Sequence, residues 1–435
     1  MSAGTVAIVG AGWAGCAAAV ALTWRGIPVT LFEASRVPGG RARRVMLDDR
    51  SLDNGQHILL GAYQSTLRVM QQVGLRPNEL FLRLPLQMRY AAADDGMDLV
   101  AARLPAPFHL LAGVLRARGL SLEDKIALAR FSSAARWMGW QLDVDCSVSE
   151  LLARFDQTER LIQLMWRPLC IAALNTAPDQ ASARVFLAVL RDSLGARRAA
   201  SDMLLPRVDL SRLFPDAAIT WLQKNGAEVS LGTRVQQLVR DGDGWTLSTD
   251  HSTQRFDQVI IATAAPNAQA LLAPLDPSLA STLEFQHAPI TTCYLQYKDS
   301  VRLPAPMLAL RDNAEQNTWG QYVFDRGQLD ATQAGLLAVV ISDASAATTL
   351  SHSALEQSVA DQLARALQMP LLSKTVWSKT ITEKRATFVC SPNLKRPPNT
   401  TAHPGLWLAG DYTESEYPAT IEGAVRSGLD AAAKF

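Results

Sequence analysis

Three glycines near the start of the chain have the spacing Gly10-x-Gly12-x-x-Gly15. In such a loop the first glycine allows a tight turn, the second lets the backbone approach a diphosphate, and the third permits close packing of a helix on a strand. The start of the following helix offers free N–H groups and a partial positive charge to phosphate oxygens. Glu33 follows at a distance where its carboxylate can accept hydrogen bonds from a ribose. The spacing therefore predicts a dinucleotide site.

Two later motifs are suited to the rest of a long dinucleotide. Gly39-Gly40-Arg41 combines a second close backbone approach with a guanidinium that can contact a diphosphate. Gly410-Asp411 ends an apolar segment near the C-terminus, and its carboxylate can accept hydrogen bonds from a sugar chain. Contacts so far apart in sequence favour FAD over a nicotinamide cofactor.

A predicted helix start at 420–423 completes the set, because its N–H groups can face a flavin carbonyl and stabilise negative charge on the reduced ring. The predicted FAD contacts, including neighbours of the motifs, are Gly10, Gly12, Trp13, Ala14, Gly15, Glu33, Ala34, Gly40, Arg41, Gly55, Gln56, His57, Val235, Ala262, Gly410, Asp411, Thr420 and Ile421.

The elements that position these motifs alternate between strands and helices. A strand at 6–9, a helix at 15–24 and a strand at 27–32 form a parallel β-α-β unit around the glycine loop. The region from about 104 to 198 is mainly helical, with helices predicted at 126–142 and 159–174. The later predicted elements are strands at 229–231, 234–239, 245–248, 258–261, 291–297, 320–324 and 336–342 and a helix at 353–367.

The fold class expected from this order is α/β, with a Rossmann-type FAD-binding domain that a mixed sheet-plus-helix substrate domain interrupts twice. The FAD-binding domain is assigned to residues 1–85, 208–280 and 386–435. The substrate domain is assigned to residues 86–207, which are largely helical, and 281–385, which contain sheet and helix.

The composition is that of a globular protein without an excess of charge. Of 435 residues, 48% are hydrophobic and 19% are charged, and the net charge of +1 gives no reason to expect nucleic-acid binding. Five cysteines without a C-x-x-C pair argue against a disulfide framework and a metal site. The chain has neither a recognisable signal peptide nor a membrane-spanning stretch, so a cytoplasmic location is expected.

The motifs together resemble those of the amine oxidase/phytoene desaturase superfamily. Longer phrases resemble the squalene-associated FAD-dependent desaturases, which are hydroxysqualene dehydroxylases of hopanoid synthesis. Those phrases are LDNGQH at 52–57, PLCIAALNT at 168–176, DMLLP at 202–206 and GDYT at 410–413. The resemblance extends over essentially the whole chain, and it implies an FAD-binding domain with an amine oxidase-like substrate domain. Cys390 lacks the surroundings of a covalent flavin attachment site, so the FAD is expected to be non-covalent.

The resemblance implies a reductive reaction in which hydroxysqualene loses its hydroxyl group to give squalene. Protonation of an allylic alcohol releases water, and hydride from reduced flavin quenches the cation that remains. Such a site needs an acid, little water and aromatic faces beside the cation. The candidate acids are His57, Asp53, Glu414 and Glu416, and the candidate aromatic faces are Trp166, Tyr412 and Tyr417.

Other readings of the same motifs stay open at this point. Flavin also accepts hydride, so an oxidative carotenoid-type desaturase or an amine oxidase fits the residues. A prenyl-lipid chaperone of the same fold is a further alternative, although it would have no need of Glu33, Arg41 and Asp411. No second nucleotide motif is present, so the electrons for the flavin are expected from a separate donor.

The segment at 104–120 combines apolar residues with Arg116 and Arg118. A triterpene substrate is insoluble in water, so its enzyme has to collect it from a bilayer. An apolar segment with basic flanks suits peripheral contact with the inner face of a membrane. An ordinary packed helix of the substrate domain explains the same pattern.

Overall fold

A parallel five-stranded sheet, here called the cofactor sheet, joins distant segments of the chain. The computed structural model describes residues 4–91, 93 and 95–435. Val6–Val9 lies at the centre, paired in parallel with Val29–Glu33 on one side and Gln258–Ile261 on the other. Glu228–Leu231 and Leu406–Leu408 form the two edges. Because the strands are parallel, the loops that follow them meet at one end of the sheet.

Both faces of the cofactor sheet are covered, which explains why its strands are uninterrupted apolar runs. Val6 and Ile8 pack with a layer of helices, whereas Ala7 and Val9 pack with a small antiparallel sheet. The helices of that layer are Trp13–Trp24, Pro215–Lys224 and Ile421–Ala432. The strands of the small sheet are Val235–Asp241, Gly244–Thr249 and Thr253–Phe256.

A second five-stranded sheet, here called the antiparallel sheet, has one face covered by the helix His352–Ala366. Cys293 and Leu295 lie under that helix, whereas Tyr294 points to the other face and packs with Leu52 and Met203. The strands, in spatial order, are Met307–Ala309, Tyr322–Asp325, Leu336–Ser342, His287–Gln296 and Trp377–Phe388.

A helical region lies before the antiparallel sheet in sequence. Its helices are Phe108–Arg116, Leu122–Trp137, Val148–Arg154, Glu159–Leu161, Arg167–Leu174, Ala183–Ser193 and Arg198–Ser201, with a wider π turn at Ile162–Trp166. Ser121 starts the second of them in a capping box with Asp124. The helix predicted at 126–142 ends earlier, at Trp137, because Gly139 and Trp140 have positive φ angles that a right-handed helix does not allow.

The remaining elements are short. The paired strands are Arg44–Leu47 with Arg50–Asp53, Gln87–Arg89 with Asp98–Val100, and Met203–Pro206 between Leu59–Leu60 and Phe81–Leu84. The short helices are Gln64–Gln72, Pro77–Leu80, Leu210–Leu213, Ala265–Leu272 and Pro277–Ser281. Among the described residues, no helix combines the length and the apolar character needed to cross a bilayer. The domain boundaries given above stay predictions.

Candidate functional site

The glycine loop follows the central strand of the cofactor sheet. Gly10 has φ +109°, and a Cβ there would lie 2.7 Å from the carbonyl oxygen of Ala262. A Cβ on Gly15 would lie 1.9 Å from the carbonyl oxygen of Gly10, because the helix packs directly on the turn. Gly12 differs, since a Cβ there would meet only the Cα of Gly40, at 4.0 Å. The loop is therefore packed tightly at two glycines and open at the third, where a diphosphate would approach.

The helix Trp13–Trp24 begins without a side-chain cap. Gly12 is its N-cap residue, and its first turn, which includes Trp13 and Ala14, contains no acidic residue. The N–H groups of that turn can therefore bind an anion. Glu33 lies beside the loop, where its Oε2 accepts a hydrogen bond from the backbone N–H of Ala11 at 2.7 Å. Each carboxylate oxygen has two lone pairs, so Glu33 can also accept from a ribose. These residues fit the predicted dinucleotide.

The second glycine motif lies against the first. The N–H of Gly39 donates to the carbonyl oxygen of Ala11 at 2.8 Å, and Gly39 and Gly40 both have positive φ angles, +115° and +62°. These conformations favour glycine, and they bring the backbone of Gly40 beside the open side of Gly12. The two motifs, 27 residues apart in sequence at Gly12 and Gly39, thus form one cradle.

Arg41 and Asp411 form an ion pair. The Nη2 of Arg41 donates to Oδ1 of Asp411 at 2.6 Å, and its Nη1 donates to the carbonyl oxygen of Ala386 at 2.7 Å. The sequence predicted separate contacts of Arg41 with a diphosphate and of Asp411 with a sugar chain. The structure brings them together instead, because Arg41 reaches across to the strand that ends at Phe388. Arg41 positions the Asp411 carboxylate directly after the strand Leu406–Leu408.

A cavity of about 160 Å³ adjoins this pair and is lined by Arg41, Asp411, Tyr412, His287 and Glu383, among others. The hydroxyl of Tyr412 is buried and has no hydrogen-bond partner among the described residues. An unpaired buried hydroxyl is unfavourable, so it indicates that a polar ligand atom belongs here. The cavity therefore fits the sugar and ring portions of a dinucleotide better than it fits a purely apolar molecule.

Protein groups already bind part of the N-terminus of the helix Ile421–Ala432. The hydroxyl of Thr420 accepts from the N–H of Gly423 at 3.0 Å, so that N–H group is not free for a ligand. Glu422 is fully buried and accepts hydrogen bonds from the backbone N–H groups of Ser65 and Thr66 at 3.1 and 2.9 Å. The N–H of Ile421 remains available to a ligand by the geometry of a helix start.

The other predicted cofactor residues surround the same strand ends. Ala262 donates its N–H to the carbonyl oxygen of Val9 at 2.8 Å, directly beside Gly10. Ala34 is exposed just after the strand that carries Glu33. Val235 begins a strand of the small sheet and packs against the cofactor sheet. Their roles in binding stay predictions.

His57 lies in the segment that joins the strands Arg50–Asp53 and Leu59–Leu60 and that contacts the antiparallel sheet at Thr292. Its Nδ1 lies 2.8 Å from the carbonyl oxygen of Gly55, which can only accept, so Nδ1 carries the proton and Nε2 is the free nitrogen. Gly55 itself has φ +102°. Burial lowers the pKa of His57, and Arg41 lowers it further. Gln56 is anchored by its N–H, which donates to the hydroxyl of Thr292 at 3.3 Å.

Asp53 is buried beneath that segment. Its Oδ1 accepts from the N–H of Leu210 at 2.8 Å, and its carbonyl oxygen accepts from the hydroxyl of Tyr294 at 3.0 Å. Burial raises the pKa of Asp53 to about 6, although the charge of Arg326 opposes the shift. The side chain thus binds the first N–H group of the helix Leu210–Leu213, whose N-cap residue is Asp209, and it is only 4% exposed, so a structural role explains it.

Glu414 and Glu416 were predicted as candidate acids because they follow Asp411. The structure places both side chains at the surface. Glu416 pairs there with Nη2 of Arg191 at 2.8 Å. The predicted reaction needs an acid away from water, so the positions of these two carboxylates argue against that role.

A comparison with protein families matches residues 13–434 to the family described as flavin containing amine oxidoreductase. The chain belongs to that family. Membership confirms the predicted FAD cofactor, and it confirms the superfamily that the motifs resemble. The predicted α/β fold class is confirmed as well, by the two large sheets and by the solved structures described below.

Three curated relatives of this flavin-containing amine oxidoreductase are named hydroxysqualene dehydroxylase. Those of Zymomonas mobilis, Sinorhizobium fredii and Rhodopseudomonas palustris are 29%, 28% and 28% identical to the chain, and the alignments cover 98% of the chain and 97% of each relative. The 15-cis-phytoene desaturase of Arabidopsis thaliana is 24% identical, over 97% of the chain and 78% of that protein.

Solved structures share the fold at lower sequence identity. A putrescine oxidase superimposes with a TM-score of 0.73 at 18% identity, covering 99% of this chain and 98% of that one. A putative protoporphyrinogen oxidase from Exiguobacterium superimposes with a TM-score of 0.69 at 16% identity, covering 100% and 99%. These likenesses establish the amine oxidase fold for the chain.

Two of the predicted aromatic faces have other roles in this amine oxidoreductase. Trp166 is buried in the helical region, where its indole N–H donates to Gln157 and its ring packs with Phe131. It is a core residue. The hydroxyl of Tyr417 donates to Asp192, and the guanidinium of Arg426 lies over its ring. Of the three predicted aromatic faces, only Tyr412 lines the cavity beside Asp411.

Sequence reasoning missed Glu383, His287 and Arg326. Glu383 Oε2 accepts from the side-chain amide of Asn54 at 3.2 Å, and His287 lines the same cavity. Arg326 is buried, and its Nη1 donates to the side-chain oxygen of Gln56 at 2.8 Å. All three lie on or beside the antiparallel sheet, in segments without a recognisable motif. The one available signal for Arg326 was its position directly after a strand.

Proposed function

We propose that this protein catalyses the FAD-dependent reductive removal of the hydroxyl group of hydroxysqualene, giving squalene for hopanoid synthesis. The substrate takes up one hydride and one proton and releases one molecule of water. The bound FAD, in its reduced form, supplies the hydride. A separate electron donor returns the flavin to that form.

The observation that carries this proposal is the full-length similarity to three proteins named hydroxysqualene dehydroxylase. Each alignment covers 97% of the relative, so no domain of those proteins is missing from the comparison. The phytoene desaturases are less similar, and the alignments cover 76–78% of their length. The motifs LDNGQH and GDYT, which resemble those of hydroxysqualene dehydroxylases, support the same proposal.

A buried apolar cluster lies beside the predicted reacting region. It includes Tyr294, Phe324, Met307 and Val340, on the face of the antiparallel sheet away from the helix His352–Ala366, together with Leu52. Tyr294 contacts the backbone of Asp53, two residues before Gly55. A long hydrocarbon placed against this face would be desolvated, and burying apolar surface drives its binding.

We propose His57 as the group that protonates the leaving hydroxyl, through Nε2. That nitrogen is free because Nδ1 is held by the carbonyl oxygen of Gly55. His57 is also partly exposed, whereas Asp53 is buried and engaged with Leu210. Of the four candidate acids, His57 alone is neither buried like Asp53 nor at the surface like Glu414 and Glu416, and it lies near Arg41, which lines the cavity.

The direct test is product analysis. Purified protein with FAD, a chemical reductant and detergent-solubilised hydroxysqualene should yield squalene, and omission of the reductant should abolish the product. Phytoene and a primary amine serve as competing substrates. Conversion of either of those, without conversion of hydroxysqualene, would reverse the assignment in favour of a desaturase or an amine oxidase.

If His57 is the acid, the rate should fall as pH rises. Its pKa is lowered by burial, so the protonated form is lost at a pH below the ordinary value of about 6.5. Above that pKa, kcat should decrease about tenfold per pH unit until another step takes over. His57→Gln should lower kcat by about 10² or more and remove this dependence. A pH profile that follows Asp53→Asn instead would assign the proton to Asp53.

We also propose that the protein works as a peripheral protein at a membrane surface, because its substrate is an insoluble hydrocarbon. The segment at 104–120 was the predicted contact. It forms the helix Phe108–Arg116, which has an apolar exposed side. Arg116 and Arg118 are exposed beside it.

A further inference from the structure

Large exposed apolar side chains are concentrated on two consecutive helices. Phe108, Leu111 and Leu115 lie on the helix Phe108–Arg116, and Leu122, Ile126 and Trp137 lie on the helix Leu122–Trp137. Each of these six side chains is between 50% and 90% exposed. We call these six residues the docking face. Single exposed apolar residues are ordinary, but such a group marks an interaction surface.

The spacing places each set of three on one side of its helix. Positions 108, 111 and 115, and positions 122, 126 and 137, recur at helical intervals, while the opposite sides carry the buried residues Gly113 and Phe131. The two helices are joined where Nζ of Lys125 donates to the carbonyl oxygen of Leu115 at 3.0 Å. The end of the first helix therefore lies close to the first turn of the second. The second helix was not part of the predicted membrane segment.

The charge around the docking face is strongly positive. Residues 103–137 contain six basic and two acidic residues, a net charge of +4, whereas the whole chain carries +1. Arg116, Arg118, Arg130 and Arg136 are exposed, and one of the two acids, Asp124, is buried in a helix cap. Long basic side chains beside apolar ones can reach phosphate groups while the apolar ones enter the acyl region.

Buried apolar residues connect the first helix of the docking face with the antiparallel sheet. Behind that helix lies a buried cluster that includes Met88, Met97 and Leu164, and Val114 of the first helix packs against that cluster. Tyr322 packs against the same cluster and also against the apolar cluster that contains Tyr294 and Phe324. Packed apolar side chains therefore extend from the first helix to the antiparallel sheet. The methionines among them have adaptable side chains.

We propose that the docking face binds an anionic lipid bilayer and so brings the protein to the bilayer that holds its substrate. This inference rests on the proposed function for the nature of the substrate, but the docking itself does not require catalysis. Charge favours a bilayer over a second copy of the chain, because two copies joined through this face would bring two clusters of net +4 together. Anionic headgroups, by contrast, attract each exposed arginine near the surface.

Vesicle sedimentation with the FAD-loaded protein tests the proposal. The protein should bind phosphatidylcholine vesicles that contain phosphatidylglycerol, and bind phosphatidylcholine alone more weakly. Leu111→Ser/Leu115→Ser should weaken binding by about tenfold or more, because two side chains lose their apolar insertion. Arg116→Gln/Arg118→Gln should weaken binding to the anionic vesicles by about tenfold or more and leave the neutral ones unchanged.

Matched controls come from an exposed region elsewhere. Leu371 and Val376 are also exposed, as are Lys298 and Lys374. Leu371→Ser/Val376→Ser and Lys298→Gln/Lys374→Gln should therefore bind vesicles like the wild type. Equal binding by the docking-face variants and these controls would overturn the proposal. A wild-type dimer that the leucine variant converts to a monomer would also overturn it, in favour of self-association.

Turnover separates this inference from the proposed function. With detergent-solubilised substrate, the docking-face variants should convert hydroxysqualene as fast as the wild type, and they should be slower only when the substrate is supplied in vesicles. Vesicle binding without any conversion of hydroxysqualene would refute the proposed function and leave the docking intact. Conversion in detergent by a wild type that does not bind vesicles would refute the docking alone.

Discussion

Gly12→Ala should produce a folded protein that binds FAD about tenfold or more weakly than the wild type. The folded chain has room for the new methyl group, because a Cβ on Gly12 meets only the Cα of Gly40, at 4.0 Å, and the φ of Gly12 is −71°. That room is the place where the backbone has to approach the diphosphate, so the methyl group would displace the ligand. Thermal unfolding of the apoprotein and FAD titration by flavin fluorescence measure the two effects separately.

Gly15→Ala provides the contrast. Its methyl group would lie 1.9 Å from the carbonyl oxygen of Gly10, so the helix could not keep its position on the turn. We expect this variant to lose stability as well as FAD. A Gly12→Ala protein that keeps normal FAD affinity would show that the diphosphate does not bind at this loop. A wild type that releases no flavin on denaturation would favour the chaperone reading.

Glu422→Ala should destabilise the protein by about 3 kcal/mol or more. The carboxylate is fully buried and accepts hydrogen bonds from the backbone N–H groups of Ser65 and Thr66 and from the hydroxyl of Thr66. It thereby caps the helix Gln64–Gln72, whose own N-cap residue, Tyr63, has no capping side chain. Its removal leaves these donors without an acceptor in a buried place and deprives Arg426, which is 35% exposed, of its ion pair. Urea unfolding at neutral pH measures the loss.

Glu416→Ala is the matched control, because the chain offers the same ion pair in a different environment. Arg191 and Glu416 are 2.8 Å apart, as are Arg426 and Glu422, but the side chain of Glu416 is 65% exposed and that of Glu422 is 0% exposed. Solvent screens the exposed pair, so its loss should change the free energy of unfolding by less than about 1 kcal/mol. Equal effects of the two substitutions would refute the explanation by burial.

Sequence analysis could predict the FAD cofactor because the residues of its site either lie close together in the chain or are brought together by parallel strand pairing. Gly10, Gly12 and Gly15 are required by a turn, a close approach and a helix contact within six residues. Glu33 ends the next strand, and parallel pairing of the two strands brings it beside the loop. Apolar runs of strand length likewise indicated the cofactor sheet, since both of its faces are buried.

Sequence reasoning could not distinguish among the candidate acids, which are His57, Asp53, Glu414 and Glu416. All four lie near a motif, but their side chains differ in exposure. Asp53 lies beneath a helix start 157 residues away in sequence, and Glu416 pairs with a helix 225 residues away. Burial depends on what the rest of the chain places over a residue, and no local pattern encodes it.

Local sequence patterns were sufficient to predict FAD binding on a parallel sheet and the family that the chain resembles. The folded chain was needed to show that Arg41 pairs with Asp411, 370 residues away, that Glu422 caps a distant helix, and that two successive helices expose their apolar sides together. Turn geometry and strand pattern act between neighbours in the chain, whereas ion pairing, desolvation and exposure depend on groups that meet only after folding.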